Sequence, residues 1–450
     1  LLNLLISIIG VLITILLVVG VHELGHFLVA KSLGIKVIRF SIGFGKALLT
    51  WHDKKGTEYV LAAIPLGGYV KMLDEGEGIV DPEDLPRTFN RQPFYKKMAV
   101  IAAGPISNLI FAFVLYWILF TAGFISIAPI IGKISPHSIA EITGIKPQQE
   151  IIKIDDTKMT GWTSVVISLL LHAGDNNKLT MELKNPDNQL QTYSLDVTNW
   201  HLDNLKPDPL KSLGIAPYEP EVPAIIGKEL PDSPAAQSGL KAGDKILFIE
   251  NKAVKDWFDL VDMTATHPNE TLPFQIQRSN QKLSLLVRIG AQNHLLAAKT
   301  GFLGVTPAFE YPPALLRHNK YGPMAAAQHA WNDVVLFTNM NVIILKKMFT
   351  GKISLQSLGG PITIFESAGS ALNNGILSFM SFLAFLSISI GIINVVPIPG
   401  LDGGHLLFQA IEAVIRRPLS EKTLTLFYRL GMIFLLLIMV QAFINDMLRL

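Results

Sequence analysis

Val21-His22-Glu23-Leu24-Gly25-His26 closes an apolar run that begins at Leu1. On a helix, residues four apart lie one above the other, so His22 and His26 can offer two imidazoles to one metal ion. Glu23 then stands beside that ion, placed to take a proton from water that the metal activates. The same letters also arise by coincidence. Location argues against coincidence here, because two histidines and a glutamate are costly in or beside a bilayer, where ionisable groups are functional by default. The stretch predicts a membrane helix carrying part of a metal site.

Composition agrees. Half of the 450 residues are hydrophobic and 16% are charged, which suits a membrane protein with a sizeable water-soluble part. A net charge of +2 is too mild for nucleic-acid binding, and none is expected. With no cysteine there are no disulfides or thiolate ligands, so a metal such as zinc must be held by His, Asp or Glu. Residues 1–21 lack the basic start and small-residue cleavage site of a signal peptide and read as a retained span. Four apolar segments are long enough to cross a bilayer, at residues 1–30, 98–124, 376–396 and 424–444.

From Lys36 to Met72 the apolar pattern alternates, the signature of strands, with Gly43-Phe44-Gly45 at one bend and Pro65-Leu66-Gly67-Gly68-Tyr69 after the returning strand 59–64. An ordinary surface hairpin has this pattern. So does a small membrane-associated sheet whose edge receives an extended peptide, glycines 43, 45, 67 and 68 allowing close backbone approach. Residues 74–93 read as an acidic, proline-containing cytoplasmic loop. In the second span, Gly104-Pro105-Ile106-Ser107-Asn108 interrupts the apolar run, for helix packing or with Asn108 facing a catalytic cavity.

Residues 125 to about 310 have ordinary polarity and contain a repeat, Ala140–Trp162 matching Ala235–Trp257 at an offset of 95. The second copy, with Gly239-Leu240-Lys241-Ala242-Gly243-Asp244, resembles PDZ domains of bacterial proteases, which bind peptide ends or strands. The first copy has Gln148-Gln149 in place of Gly243-Asp244, which puts its carboxylate-binding loop in doubt. Both copies acting as spacers without a peptide ligand is the alternative. The mixed segment 322–350 looks amphipathic, either a lever along the membrane surface or a plain connector.

The third span ends in Asn394-Val395-Val396-Pro397-Ile398-Pro399-Gly400-Leu401-Asp402-Gly403, where prolines and glycines must break the helix. Catalytic zinc takes three protein ligands and keeps one position open, and Asp402 is the natural third beside His22 and His26. An N-cap role for Asp402 is the alternative. His405 suits a supporting role better than ligation.

H-E-x-x-H in the first span with N-x-x-P-x-P-x-L-D-G in the third resembles the site-2 protease family of intramembrane zinc metalloproteases, and the G-F-G stretch and tandem PDZ domains resemble its bacterial envelope-stress branch. That resemblance implies Zn2+ bound by His22, His26 and Asp402, with Glu23 as catalytic base. It implies substrate handling by Gly43, Phe44, Gly45, Asn394, Pro397 and Pro399, and substrate filtering by the PDZ pair. It implies substrates among single-span proteins already shortened by another protease, anti-sigma factors and remnant signal peptides included, and inhibition by peptide-like hydroxamates.

The expected architecture is an α-helical membrane protein of four transmembrane helices with a membrane-associated β-sheet, plus two β-rich periplasmic PDZ domains. Its parts are residues 1–124 with the first two spans and the sheet, 125–220 and 221–310 as PDZ domains, 311–375 as amphipathic connector, and 376–450 with the last two spans. Lys and Arg in residues 31–97, with Arg416, Arg417 and Lys422, mark the cytoplasmic side of a bacterial inner membrane and put the metal near it, and membrane lipid is an expected partner of the chain. A PDZ scaffold with an inert zinc site, or a prenyl-protein protease, are the competing readings. An intact Glu23 argues against the first, and N-x-x-P-x-P-x-L-D-G against the second.

Overall fold

In the computed structural model, residues 2–174, 178–198, 200, 202, 208–292, 299–351, 353–417 and 419–449 are described. Four helices among them are long and apolar enough to cross a membrane, at 4–32, 94–122, 376–395 and 422–449. The first, α1 (Leu2–Ser32), carries the histidine motif in its last third. Small residues let its other end pack closely: a Cβ on Gly10 would sit 3.0 Å from the Ala368 carbonyl oxygen.

Strands β1 (Val37–His52) and β2 (Glu58–Met72) follow, and the pairing is richer than a hairpin. Residues 37–42 pair on one side with 58–61 and on the other with 68–72, while 47–52 pair with the far side of 58–62. Two strands thus make a four-segment antiparallel sheet. Gly43 and Gly45 make the bend in β1 at φ of 93° and 84°, a left-handed conformation that side chains disfavour. The returning strand, expected to stop near Ile64, continues to Met72. Continuous alternation cannot reveal that a strand doubles back. Lys31 ties the sheet to α1 by donating to Asp53 (2.6 Å) above the Phe27 ring, and holds the Asp53 carboxyl well below its ordinary range.

Helix α2 (Phe94–Ala122) runs unbroken through Pro105 and leads into β3 (Phe124–Ile127). Two similar β-rich units come next. The first holds β4 (Ile131–Ile134), β5 (Glu150–Ile154), β6 (Thr157–Lys158), α3 (Trp162–His172), β7 (Lys178–Lys184), β8 (Leu190–Asp196) and β9 (Ile215–Pro217). The second holds β10 (Ile226–Glu229), β11 (Lys245–Ile249), β12 (Lys252–Ala253), α4 (Trp257–Ala265), β13 (Thr271–Arg278), β14 (Gln281–Arg288) and β15 (Val305–Pro307). Ile131, Glu150, Thr157 and Trp162 open elements whose counterparts open at Ile226, Lys245, Lys252 and Trp257, each 95 residues later. Strand orders agree as well, β6-β5-β7-β8 and β12-β11-β13-β14, with β4 on β9 and β10 on β15. Each unit has its own apolar core, around Leu169 and Met181 in the first and Phe274 and Ile276 in the second.

The Gln148-Gln149 substitution leaves that turn intact. Gln148 adopts φ 65° where Gly243 has 88°. The Gln149 side chain accepts from the Lys146 amide at 2.8 Å, as Asp244 accepts from that of Lys241 at 2.8 Å. Asp244, fully buried, is also held by two 2.7 Å bonds from Arg278.

Strand β16 (Leu316–Asn319) returns to pair with β3, and α5 (Pro323–Phe349) descends along α2. Ala326, Ala330 and Val334 bury on that side, and Phe337 stacks on Tyr116 at 5.7 Å. Near its end Lys347 donates to the carbonyls of Leu171 (2.5 Å) and Ala173 (2.6 Å), gripping the open end of α3. Gly359-Gly360-Pro361, which reads as a simple break, opens a further helix, α6 (Pro361–Asn373). Helix α7 (Ile376–Val395) is the third span, α8 (Asp402–Ile415) turns back from it, and α9 (Glu421–Arg449) is the fourth. Asp446 of α9 caps α6 by accepting from the amides of Gly360 (2.9 Å) and Ile362 (2.8 Å).

Candidate metal centre

Helical spacing puts His22 and His26 on one face of α1, both buried, with Nε2 atoms 3.3 Å apart. Asp402 reaches them from a segment far along the chain. Its Oδ2 lies 3.0 Å from His22 Nε2 and 3.3 Å from His26 Nε2. The turn that delivers it needs glycine: a Cβ on Gly403 would lie 2.2 Å from the Val395 carbonyl oxygen, and one on Gly404 2.5 Å from that of Ile398. Leu401, not Asp402, takes the N-cap position of α8 and makes no side-chain cap. The carboxylate faces the histidines instead.

The donor set fits a metal. Ligands about 2.0–2.1 Å from tetrahedral zinc stand roughly 3.3 Å from each other, which matches the three edges of this triangle. Asp402 Oδ2 is buried and completes no hydrogen bond, and two imidazole nitrogens turn toward it at contact distance. Lone pairs converging in a buried pocket are unfavourable without a cation between them. Among the described residues this is the one such convergence of three side chains.

The far nitrogens of both rings decide which nitrogen is free to bind. His26 Nδ1 donates to the Val100 carbonyl oxygen at 2.8 Å, which leaves Nε2 with its lone pair. His22 Nδ1 faces the Asn108 amide at 3.4 Å, and Asn108, wholly buried, has its Oδ1 without a partner. Turning that amide over lets Oδ1 accept the His22 Nδ1 proton, which leaves Nε2 with its lone pair. Asn108 therefore faces the site, and the segment around it also serves packing. Ser107 donates to the Val21 carbonyl at 2.9 Å, across the contact between α1 and α2.

Glycines let this contact close. A Cβ on Gly104 would lie 2.3 Å from His26 Nε2 and 2.8 Å from His22 Cε1, so the metal-facing edges of both rings fill the space a side chain would need. A Cβ on Gly25 would lie 2.5 Å from the Ala103 carbonyl oxygen. On the other flank, one on Gly68 would lie 2.8 Å from Glu23 Cγ, so the edge of the sheet rests against the motif glutamate. Gly104 and the Val100 carbonyl escape sequence reasoning, because a backbone acceptor and an empty volume have no side chain to read.

Gly43 and Gly45 sit on the same sheet, yet what Gly43 approaches is its own returning strand. A Cβ there would meet the carbonyl oxygens of Ala62 and Ile64 at 3.0 Å. Phe44 between them stacks on Tyr69 at 6.2 Å and covers Gly67, which brings the G-F-G bend onto the edge beside Glu23. Asn394 lies in the last turn of α7, half-buried, with no side-chain hydrogen bond among the described residues. Pro397 is exposed, and Pro399 packs against Gly431 of α9. His405 accepts from or donates to the Tyr428 hydroxyl at 3.1 Å and stands outside the triangle.

Comparison with known proteins agrees with this geometry. The profile of peptidase family M50 matches residues 10–438. A protein of Salmonella typhimurium named regulator of sigma-E protease RseP is 39% identical over 442 residues, covering 98% of this chain and 97% of its own. The Escherichia coli K12 protein of the same name is also 39% identical over 442 residues, with the same coverage. A Vibrio cholerae protein named as a zinc metalloprotease is 36% identical over 439 residues, covering 96% of each chain. With those matches spanning nearly its whole length, the chain belongs to peptidase family M50, the site-2 protease family that its paired motifs resemble, and is a zinc metalloprotease.

Proposed function

We propose that this protease cuts peptide bonds within or beside transmembrane segments of single-span proteins, with His22, His26 and Asp402 holding zinc and Glu23 as catalytic base. The observation that carries the reading is the triangle of donor atoms 3.0–3.3 Å apart, formed between apolar helices, with Glu23 one residue from a ligand. Zinc held there supplies Lewis acidity to the scissile carbonyl and to water. Glu23 accepts the proton of the attacking water and delivers it to the departing amide nitrogen as the C–N bond breaks. Val100 and Asn108 keep the imidazoles in the binding tautomer throughout.

A substrate helix hides its carbonyls in its own hydrogen bonds and must unwind before it can be cut. The edge at residues 67–69, beside Glu23, suits an extended segment that adds as a further strand and offsets the bonds lost. Gly43, Phe44 and Gly45 shape that edge, and Asn394, Pro397 and Pro399, in the segment that leads to Asp402, serve as further substrate contacts. A peptide-like hydroxamate fits the same track. The repeated β-rich units are PDZ domains that filter substrates, placed in the periplasm by the basic loops at the other ends of the spans, with the metal toward the cytoplasmic side of the inner membrane. Relatives bearing the name regulator of sigma-E protease support anti-sigma-type substrates, and the site equally suits remnant signal peptides.

Glu23→Gln tests the reading. It should keep one zinc per chain and lower cleavage of a transmembrane peptide by about 10²–10⁴-fold. A variant that binds zinc and cuts near the wild-type rate would remove Glu23 from the chemistry.

A further inference from the structure

A second cavity, of about 780 Å³, lies at the far ends of the spans from the metal, between the end of α2, the start of α3, the middle of α5 and the start of α7. Two of its polar groups are idle, although others such as Ser126 and Ser164 are hydrogen-bonded. Tyr116 is 2% exposed, faces Ser381, and its hydroxyl completes no hydrogen bond. Among the described residues, Asp333 of α5 makes no hydrogen bond or ion pair and is the only charged side chain lining the space. Burial without a partner pushes its carboxyl up to about 7.

Two helices of eleven and twenty residues begin at this cavity, α3 after Gly161 and α7 after Gly375. Neither glycine supplies a side-chain acceptor to the first-turn amides; at α3 the Ser164 hydroxyl takes only the Thr160 and Gly161 amides that precede the helix, so both helices turn the positive end of a dipole to the cavity. Positive helix ends and a lone carboxylate in one pocket complement a ligand that carries both signs. The remaining walls are mostly apolar, and the cavity sits level with the ends of the spans, where bilayer headgroups lie.

We propose that this cavity binds a zwitterionic lipid headgroup of the phosphoethanolamine class, phosphate at the starts of α3 and α7 and primary ammonium on Asp333 and the Tyr116 hydroxyl. A phosphate alone leaves Asp333 unpaired and repelled. A quaternary ammonium has no N–H to give the carboxylate. The lipid thereby bridges the first β-rich unit and the ends of α2 and α7, all of which line the cavity.

The test uses the full chain in nanodiscs of phosphatidylcholine alone, with phosphatidylethanolamine, or with phosphatidylglycerol. Expected is a Tm about 2–4 °C higher with phosphatidylethanolamine than in either other disc, and about one such lipid per chain carried into native mass spectrometry. Asp333→Asn, of the same size, should erase the preference. Tyr116→Phe, which keeps the stacking on Phe337, should reduce it. No preference in the wild type, or an undiminished one in Asp333→Asn, overturns the proposal. Soluble phosphoethanolamine added to phosphatidylcholine discs separates the sources: stabilisation by it but not by the lipid overturns the lipid assignment.

Discussion

Replacing Gly104 with alanine adds one methyl group and removes no ligand, yet it should empty the metal site. The new Cβ would stand 2.3 Å from His26 Nε2, and ordinary contact begins near 3.4 Å, so the ring must retreat by about 1.1 Å. Metal–ligand distances tolerate only about ±0.2 Å. His26 cannot retreat and still bind, and its Nδ1 is meanwhile tied to Val100. Losing one ligand costs roughly 2.5–4 kcal/mol if structural-zinc binding energies divide evenly over four ligands, a loss of about 10²–10³-fold in affinity. Alanine is the better helix former by about 1 kcal/mol, so the backbone itself has no objection. The assay is zinc per chain after dialysis against graded free zinc, beside cleavage of a transmembrane peptide and a melting curve. Gly20→Ala is the control, since its Cβ meets only Ile42 Cδ1 at 3.5 Å. A folded Gly104→Ala chain holding zinc at wild-type affinity would refute the account of how α1 and α2 build the site.

Asn108→Leu should weaken zinc binding about 10–100-fold, while Asn108→Asp, still able to accept the His22 Nδ1 proton, should retain it; equal affinities in all three proteins would count against the tautomer argument. Gly68→Ala should lower the cleavage rate about tenfold or more at unchanged zinc content, because its methyl displaces Glu23; single-turnover rates at saturating substrate decide this. Gln148→Gly should stabilise the first β-rich unit by about 1 kcal/mol by relieving the left-handed conformation, readable as slower amide exchange in that unit, and faster exchange would show that Gln148 carries contacts worth more than its strain.

Residues with chemistry in their side chains were legible. His22, Glu23 and His26 declare themselves by spacing, and the demand for a third donor in a chain without cysteine leads to Asp402. The β-rich repeat was legible too, because its elements recur at one offset. Features made of backbone were not. The sheet hides its four segments in two alternating runs, since alternation reports which way side chains point and not which partner each edge finds. Gly359-Gly360-Pro361 reads as a break, although glycine at an N-cap followed by proline is also how a helix begins. The left-handed turn at Gln148 is invisible for the same reason, a glutamine standing where the conformation asks for glycine.

The absence of side chains has a common physical cause around the metal. Inside an apolar layer no water pairs stray polar groups, so each donor and acceptor near the zinc ligands must meet a protein partner at close range. Gly25, Gly68, Gly104 and Gly403 bring backbone or ligand-side atoms within 2.2–2.8 Å of where a Cβ would be, on the ligand helix α1 itself, on the sheet, on α2 and on α8. Closeness of this kind leaves no room for lipid between α1 and α2 and fixes both rings by contact as well as by hydrogen bonds. It also restricts where a substrate can enter. The α2 face of the histidines is closed by Gly104, so on the proposed reading an unwound segment approaches from the side where Glu23 meets Gly68 and the sheet edge. A bulky substitution on that edge and a methyl at Gly104 therefore act differently: the first blocks the approach and leaves zinc in place, the second takes the zinc and leaves the approach open.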